Sequence, residues 1–190
     1  MTVTDEPLPS RPRLDLGLVP IVDFDGTVAD LPVDWPGLRR RLGVGRIEDL
    51  WAKGPDGVAG PWEEVTEAER NAAVLVRPLE RMRAALAAVG GFAVLTSNSA
   101  AVVQEFCDRD PGLAAGLVTV VGREALKGPK TDFACFRAGF ETCREATADL
   151  RGDDPVVYVG DQAYELDFAR ELGAKTIDAS DPADARERPA

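Results

Sequence analysis

Five short apolar runs, separated by segments with helical spacing, constrain the fold of this chain more than any other feature. The runs lie at residues 20–24, 92–96, 117–121, 156–159 and 174–177. Continuous apolar runs of this length are typical of strands that are buried on both faces, as in a parallel sheet. The alternation of such strands with helices predicts an α/β fold with a doubly wound, Rossmann-like parallel sheet.

Helical spacing of apolar residues fills the gaps between most of these runs. The predicted helices cover about residues 78–89, 101–107, 133–150 and 166–172. Pro78 suits the first residue of a helix, and Gly173 suits the position just after one.

Residues 31–76 interrupt the alternation, since they contain no clear strand. They hold all three tryptophans of the chain, and residues 39–41 and 63–70 have helical character. We interpret this segment as a small helical cap that follows the first strand and overhangs the carboxyl end of the sheet, where a lid belongs. The other predicted parts are a loose N-terminal arm at residues 1–17, an α/β core at 18–30 and 77–180, and a tail at 181–190.

The composition excludes several kinds of chemistry and partner. A chain of 190 residues is long enough for one domain with a small insert. It has no histidine, which excludes the Ser-His-Asp triad and most transition-metal sites. A net charge of −11 argues against nucleic acid and against anionic membranes as partners.

The expected location follows from what the sequence lacks. No apolar run approaches the roughly 20 residues that span a bilayer, and the first residues carry no charged-then-apolar export signal. The three cysteines form no metal-binding spacing, and an odd number is typical of reduced thiols. We therefore expect a cytoplasmic protein.

Carboxylates, hydroxyls, an amide and ammonium groups follow four of the predicted strands. In chain order they belong to Asp23, Asp25, Thr27, Thr96, Ser97, Asn98, Lys127, Lys130, Asp161, Glu165 and Asp167. Because ligands of such sheets bind at the carboxyl ends of the strands, we expect these groups to form a site.

This set of groups suits phosphoryl transfer. A carboxylate can attack phosphorus, and a second acid two residues away can protonate the leaving oxygen and later activate water. A serine hydroxyl, N–H groups at a helix start and a lysine would hold the phosphoryl oxygens. Since converging carboxylates repel one another, we expect Mg²⁺ among Asp23, Asp161 and the backbone carbonyl of Asp25.

The same residues resemble the motifs of the haloacid dehalogenase-like superfamily of phosphohydrolases. Residues 23–27 read DFDGT and resemble its first motif, DxDGT, while residues 95–98 read LTSN and resemble its second. Lys130 and Phe136 have the spacing of the third motif, although its two prolines are absent. Residues 158–161 read YVGD and resemble the start of the fourth motif, GDxxxD, with Glu165 in place of the second aspartate. The likeness covers about residues 18–178.

The resemblance implies an Mg²⁺-dependent phosphatase that hydrolyses a small phosphorylated metabolite through an aspartyl-phosphate. It implies that Asp23 is the nucleophile and Asp25 the general acid–base. It also implies that Ser97, Asn98 and Lys130 bind the phosphoryl group. The pattern is most similar to phosphoglycolate-phosphatase-type members with a small helical cap.

Several assignments remain open at this stage. Thr96 is an alternative to Ser97, Lys127 to Lys130, and Asp167 to Glu165. Four cations of the cap lie on a solvated helix face, or one of them contacts an anionic substrate; they are Arg39, Arg40, Arg41 and Lys53. The three tryptophans form the core of the cap, or they form a wall of the substrate site; they are Trp35, Trp51 and Trp62. The alternative functions are a phosphomutase of the same superfamily and a non-enzymatic binding relative.

Overall fold

The computed structural model describes residues 19–53 and 59–180, with the side chains of residues 53 and 59 left out. The predicted arm at residues 1–17 and the predicted tail at 181–190 lie outside the described residues, as do residues 54–58 of the predicted cap. The side chain of Lys53, one of the candidate cap cations, lies outside them as well.

A sheet of five parallel strands lies at the centre of the structure, in the spatial order β3-β2-β1-β4-β5. The strands are β1 (Ile21–Val22), β2 (Phe92–Leu95), β3 (Leu117–Val121), β4 (Val157–Gly160) and β5 (Lys175–Asp178). Each strand matches one of the five apolar runs, so the predicted fold class is confirmed. The strand order reverses at β1, and such a reversal is where α/β sheets bind their ligands.

The first strand is shorter than the predicted run at residues 20–24. Its pairing continues for one more residue, since the Asp23 N–H donates to the Val159 carbonyl at 2.8 Å. The chain then turns sharply, and the N–H groups of Val28 and Ala29 donate to the Phe24 carbonyl at 2.8 and 3.1 Å. This turn leaves Asp23 and Asp25 at the carboxyl edge of the sheet.

The segment at residues 31–76 is helical and has no strand among its described residues. It contains α1 (Trp35–Leu42), a 3₁₀ helix (Ile47–Lys53) and α2 (Ala59–Ala73). Leu38, Leu50 and Val65 form a small apolar cluster of its own. The division into cap and core domains stays a prediction, and we call residues 31–76 the cap segment below.

The remaining helices cover both faces of the sheet. They are α3 (Glu80–Leu86), α4 (Ala100–Asp108), α5 (Pro111–Gly116), α6 (Phe133–Ala146), α7 (Ala148–Arg151) and α8 (Ala163–Glu171). The alternation of side chains along β1 shows the two faces: Val22 packs in one buried cluster with Phe106, and Ile21 in the other with Phe140. No helix of the described residues is long and apolar enough to cross a membrane.

Two helix predictions need correction, and one further helix was not predicted. The helix predicted at residues 78–89 covers only 80–86, and the one predicted at 133–150 is divided at Thr147, whose φ and ψ of −102° and 1° leave the helical region. The helix α5 was not predicted, because six residues are too few to show a period. Its local signal was Asp110, whose carboxylate caps the N–H groups of Gly112 and Leu113, followed by Pro111.

Candidate active site

A cavity of about 400 Å³ lies between the carboxyl edge of the sheet and the cap segment. The core contributes Asp23, Asp25, Thr96, Ser97, Asn98, Arg123, Lys130, Thr131, Asp161, Gln162, Tyr164 and Glu165. The cap segment contributes Trp35, Arg39, Arg46, Ile47, Glu48, Trp51, Trp62 and Glu69. The structure therefore brings together all the predicted site residues except Thr27, Lys127 and Asp167.

Lys130 is a buried ammonium held between two buried carboxylates. Its Nζ lies 2.7 Å from Asp23 Oδ1 and 2.8 Å from Glu165 Oε1, and it donates to the Leu95 carbonyl at 3.0 Å. Burial alone would lower the pKa of Lys130, but the charges of the two carboxylates outweigh burial and raise it. The lysine is therefore a fixed positive charge beside Asp23.

Glu165 holds this lysine and accepts hydrogen bonds from two tyrosine hydroxyls. Its Oε2 accepts from the Tyr158 hydroxyl at 2.6 Å, and its Oε1 accepts from the Tyr164 hydroxyl at 3.0 Å. Together with Lys130, these contacts account for both oxygens of a side chain that is only 2% exposed.

Asp23 is a carboxylate with two opposing influences. Burial and, to a smaller extent, the nearby charge of Glu165 raise its pKa to about 7, although the contact with Lys130 opposes both. The lysine therefore favours the ionised form of Asp23, which is the form that can act as a nucleophile.

Asp25 stands at the turn after β1, where its Oδ1 accepts from the Leu31 N–H at 2.8 Å. Burial raises the pKa of Asp25 to about 6, although this hydrogen bond opposes the shift. The charges of Asp161 and Asp30 add to the effect of burial. A carboxyl group that titrates near neutral pH can both give and take a proton, as general acid–base catalysis requires.

Asp161 lies against the backbone that follows Asp25. Gly26 has a φ of +82°, and a Cβ added there would stand 2.6 Å from Asp161 Oδ2, so this glycine is required both by conformation and by space. Oδ2 accepts from Gln162 Nε2 at 2.8 Å. Oδ1 is buried and has no hydrogen-bond partner among the described residues.

These residues fit a hard cation. A buried carboxylate oxygen without a partner is costly, and an oxygen-binding cation would satisfy it. No group of three or more Asp, Glu, Cys or His side chains suited to a metal occurs in the described part of the chain. The expected ligand set needs only two carboxylates, Asp23 and Asp161, because the third ligand is the backbone carbonyl of Asp25.

The loop after β2 carries two hydroxyls: that of Ser97 is exposed at the cavity, and that of Thr96 is hydrogen-bonded within the loop. The Thr96 hydroxyl donates to Asn98 Oδ1 at 2.9 Å and accepts from the Asn98 N–H at 3.1 Å, so it closes the loop on itself. Ser97 is exposed and lines the cavity. This geometry favours Ser97 over Thr96 as the hydroxyl that meets a ligand.

Three candidate residues lie outside the cavity. Asp167 is two residues after Glu165 on α8, about 200° around the helix axis, and it is exposed and paired with Arg170 at 2.6 Å. Lys127 is exposed, whereas Lys130 is buried in the site. Thr27 is buried, and its hydroxyl has no partner among the described residues.

The tryptophans of the cap segment both pack in the cap and line the cavity, and one of its arginines also lines the cavity. Trp35 and Trp62 pack against the cap cluster, the Trp51 and Trp62 rings are 5.2 Å apart, and all three tryptophans also line the cavity. Of the three consecutive arginines, Arg39 lines the cavity, Arg40 is exposed, and Arg41 pairs with Glu64 at 2.7 Å.

Sequence reasoning missed Glu69 and Arg123, which form a buried ion pair at 2.9 Å in the wall of the cavity. Glu69 shares one face of α2 with Val65 and Ala72, both of which are buried. A charged residue on an apolar helical face was the available signal. Arg123 lies 54 residues away from Glu69, and no sequence signal indicated that the two residues meet.

Comparisons with known proteins bear on the fold. No family model and no curated protein matches the sequence. Among solved structures, the chain is similar to Unknown transcript 4 protein from Saccharomyces cerevisiae, with a TM-score of 0.55, 15% identity, and coverage of 91% of this chain and 92% of the yeast protein. This likeness shows a shared fold over nearly the whole of both chains.

Two further solved structures are similar over most of their length. One is a putative phosphatase from Clostridium difficile, with a TM-score of 0.47, 17% identity, and coverage of 85% of this chain and 84% of the other. The second is a HAD-superfamily hydrolase, subfamily IA, variant 1, from Geobacter sulfurreducens, with a TM-score of 0.46, 17% identity, and coverage of 84% and 85%.

Replacing Lys130 tests the buried charge network independently of any activity. We expect Lys130→Met to lower the free energy of unfolding by about 3 kcal/mol, because it leaves two buried carboxylates without their cation. The measurement is urea unfolding at neutral pH. Lys127→Met is the matched control, since Lys127 is exposed, and it should leave stability unchanged. Equal stability of the two variants would contradict the network.

Proposed function

We propose that this chain is an Mg²⁺-dependent phosphatase of the haloacid dehalogenase-like superfamily, which hydrolyses a small-molecule phosphate monoester through an aspartyl-phosphate. The observation that carries the proposal is the pairing of Asp23 with Lys130 at 2.7 Å, at the floor of a cavity that also contains Asp25 and Asp161. A buried carboxylate whose ionised form is favoured by a buried ammonium, with a second titratable acid two residues away, suits nucleophilic attack on phosphorus.

In the first step, a carboxylate oxygen of Asp23 forms a bond to phosphorus, and the bond from phosphorus to the alcohol oxygen breaks. Asp25 gives its proton to that leaving oxygen. The raised pKa of Asp25, about 6, keeps a useful fraction of this group protonated near neutral pH. Lys130 holds and orients Asp23 during the attack.

In the second step, water attacks the phosphorus of the aspartyl-phosphate. Asp25, now ionised, accepts a proton from this water, the bond from phosphorus to Asp23 breaks, and inorganic phosphate leaves. The exposed hydroxyl of Ser97 is placed to hold a phosphoryl oxygen in both steps. Mg²⁺ bound by Asp23, Asp161 and the Asp25 carbonyl would supply positive charge against the developing negative charge on the phosphoryl group.

The phosphatase proposal predicts the loss of turnover when Asp23 is neutralised. Asp23→Asn keeps the shape of the side chain but removes the attacking charge, so phosphate release should fall by several orders of magnitude while the fold survives. Excess EDTA should abolish turnover by the unaltered protein, and added Mg²⁺ should restore it.

Asp167→Asn is the matched control for this test, because it removes an exposed carboxylate outside the cavity. Near-normal turnover by Asp23→Asn, or full activity in excess chelator, would contradict the proposal. A phosphomutase would instead return the phosphoryl group to a sugar with little free phosphate, and a non-enzymatic relative would release none.

One cation that lines the cavity favours a substrate with a second anionic group. Among the four cationic side chains that line the cavity, Lys130 pairs with Asp23 and Glu165. The remaining pairs are Arg123 with Glu69 at 2.9 Å and Arg46 with Glu48 at 3.4 Å.

Arg39 is the exception among these four cations, since its guanidinium has no hydrogen bond or ion pair with any residue that the structure describes. A guanidinium at the cap side of the cavity suits a carboxylate or phosphate on the leaving group. We therefore propose that the substrate is an anionic phosphate monoester recognised by Arg39.

This substrate class predicts an effect of Arg39 that depends on the leaving group. With Arg39→Gln, kcat/KM for 2-phosphoglycolate should fall about 10- to 100-fold, the loss expected for one charge-assisted hydrogen bond. For ethyl phosphate, which has no second anion, the change should be less than about twofold, since no such bond is made. Arg40→Gln is the control on the same helix and should alter neither value. Equal losses on both substrates would exclude Arg39 as a leaving-group contact.

A further inference from the structure

The ion pair between Glu69 and Arg123 joins the cap segment to the sheet edge. Arg123 Nη1 lies 2.9 Å from Glu69 Oε1, and Nη2 lies 3.3 Å from Oε2, so the contact is bidentate. The two side chains are only 1% and 5% exposed. Glu69 belongs to α2, and Arg123 begins the short 3₁₀ helix after β3 (Arg123–Ala125).

Glu69 also holds the loop that follows β2. Its Oε1 accepts from Asn98 Nδ2 at 3.1 Å, and its Oε2 accepts from the Ser99 N–H at 3.0 Å. The next N–H, of Ala100, donates to Glu124 at 3.0 Å. Carboxylates of the chain thus occupy two N–H groups at the start of α4, so these two groups are not free for a phosphoryl group.

Ser97 is what this arrangement leaves available. Its backbone N–H has no acceptor among the described residues, and its hydroxyl is exposed at the cavity. The Asn98 N–H, in contrast, is used by the Thr96 hydroxyl. The donors that can face a phosphoryl group on this loop are therefore the N–H and the hydroxyl of Ser97.

Arg123 fixes the same loop from the other side. Its Nη1 donates to the Ser97 carbonyl at 3.1 Å, and its own backbone N–H donates to the Asn98 carbonyl at 2.9 Å. Toward the cap, Nη2 donates to the Thr66 hydroxyl at 2.7 Å, and the guanidinium lies 4.8 Å from the centre of the Trp62 ring. One side chain thus restrains the Ser97 peptide and contacts two cap residues.

Stability alone is a weak reason for such a pair. Removing two charges from water is costly, and well-packed apolar residues often serve as well or better in the same volume. What apolar residues cannot do is orient a carbonyl and an N–H on a loop. Fixed donors that need no rearrangement are what stabilises charge during phosphoryl transfer.

We propose that Glu69 and Arg123 are a positioning pair, which holds the loop at residues 97–99 so that the N–H and hydroxyl of Ser97 face the phosphoryl group. The pair also ties the position of α2 to that of this loop. The inference rests on the proposed function, because phosphate is taken as the ligand of Ser97. The role of this pair differs from that of Arg39. Arg39 contacts the leaving group, which varies between substrates, whereas the pair acts on the phosphoryl group, which every substrate has.

The test combines binding of inorganic phosphate, by calorimetry in the presence of Mg²⁺, with kinetics on ethyl phosphate and 2-phosphoglycolate. Glu69→Gln replaces one acceptor oxygen by a donor while keeping the size of the side chain. We expect it to weaken phosphate binding about 10- to 100-fold, the range seen when residues that orient metal ligands are lost. kcat/KM should fall by the same factor for ethyl phosphate as for 2-phosphoglycolate, because both substrates carry the same phosphoryl group.

Glu67→Gln is the matched control, because Glu67 lies on the same helix, is 60% exposed and pairs with Arg70 at 3.1 Å. It should change neither binding nor kinetics. Arg123→Lys keeps the positive charge but loses the planar fork, so it should also weaken phosphate binding. This variant decides the question if Glu69→Gln does not fold.

The outcomes separate this inference from the proposed function. A Glu69→Gln protein that unfolds at lower temperature but binds phosphate like the unaltered chain would overturn the positioning role and leave the phosphatase intact. If the unaltered chain binds phosphate but hydrolyses no phosphate ester, and Glu69→Gln weakens this binding, the positioning role is supported and the phosphatase is overturned. An unaltered chain that neither binds phosphate nor hydrolyses esters would overturn both.

Discussion

The buried ammonium of Lys130 is the interaction on which the rest of the site depends. It lies within 2.8 Å of carboxylate oxygens of both Asp23 and Glu165, and it also donates to the end of β2 at the Leu95 carbonyl. The ends of β1 and β2, the helix α8 and the loop before α6 therefore meet at one charge. Because burial favours the protonated form of a carboxylate, the charge of Lys130 is what favours the anionic form of Asp23.

The fold and the floor of the site could be predicted from the sequence, because both are encoded locally. Each apolar run became a strand, and a parallel sheet brings all its carboxyl ends to one edge whatever the loops between them do. Asp23 and Asp161 directly follow β1 and β4, so their convergence needed no knowledge of long-range packing. Lys130 comes nine residues after β3, on the loop before α6. The choice of Lys130 over Lys127 followed from motif spacing, and the structure places Lys130 against Asp23.

The roof of the cavity could not be predicted in the same way. Which cap residues face the sheet depends on how α1 and α2 dock, and no local pattern separates Arg39 from Arg40. Glu69 and Arg123 meet across 54 residues, through two charges that composition alone would assign to the surface. Glu165 stands in place of the second aspartate of the fourth motif, and its longer side chain reaches Lys130 and two tyrosine hydroxyls.

Trapping the phosphorylated enzyme tests the central claim, that Asp23 is the nucleophile, most directly. In Asp25→Ala, p-nitrophenyl phosphate should still phosphorylate the enzyme, because its leaving group needs little protonation, while the loss of the base slows attack by water. Borohydride reduction followed by peptide mass spectrometry should then find homoserine at position 23. Reduction at a different carboxylate, or phosphate release without any trapped acyl phosphate, would contradict the account.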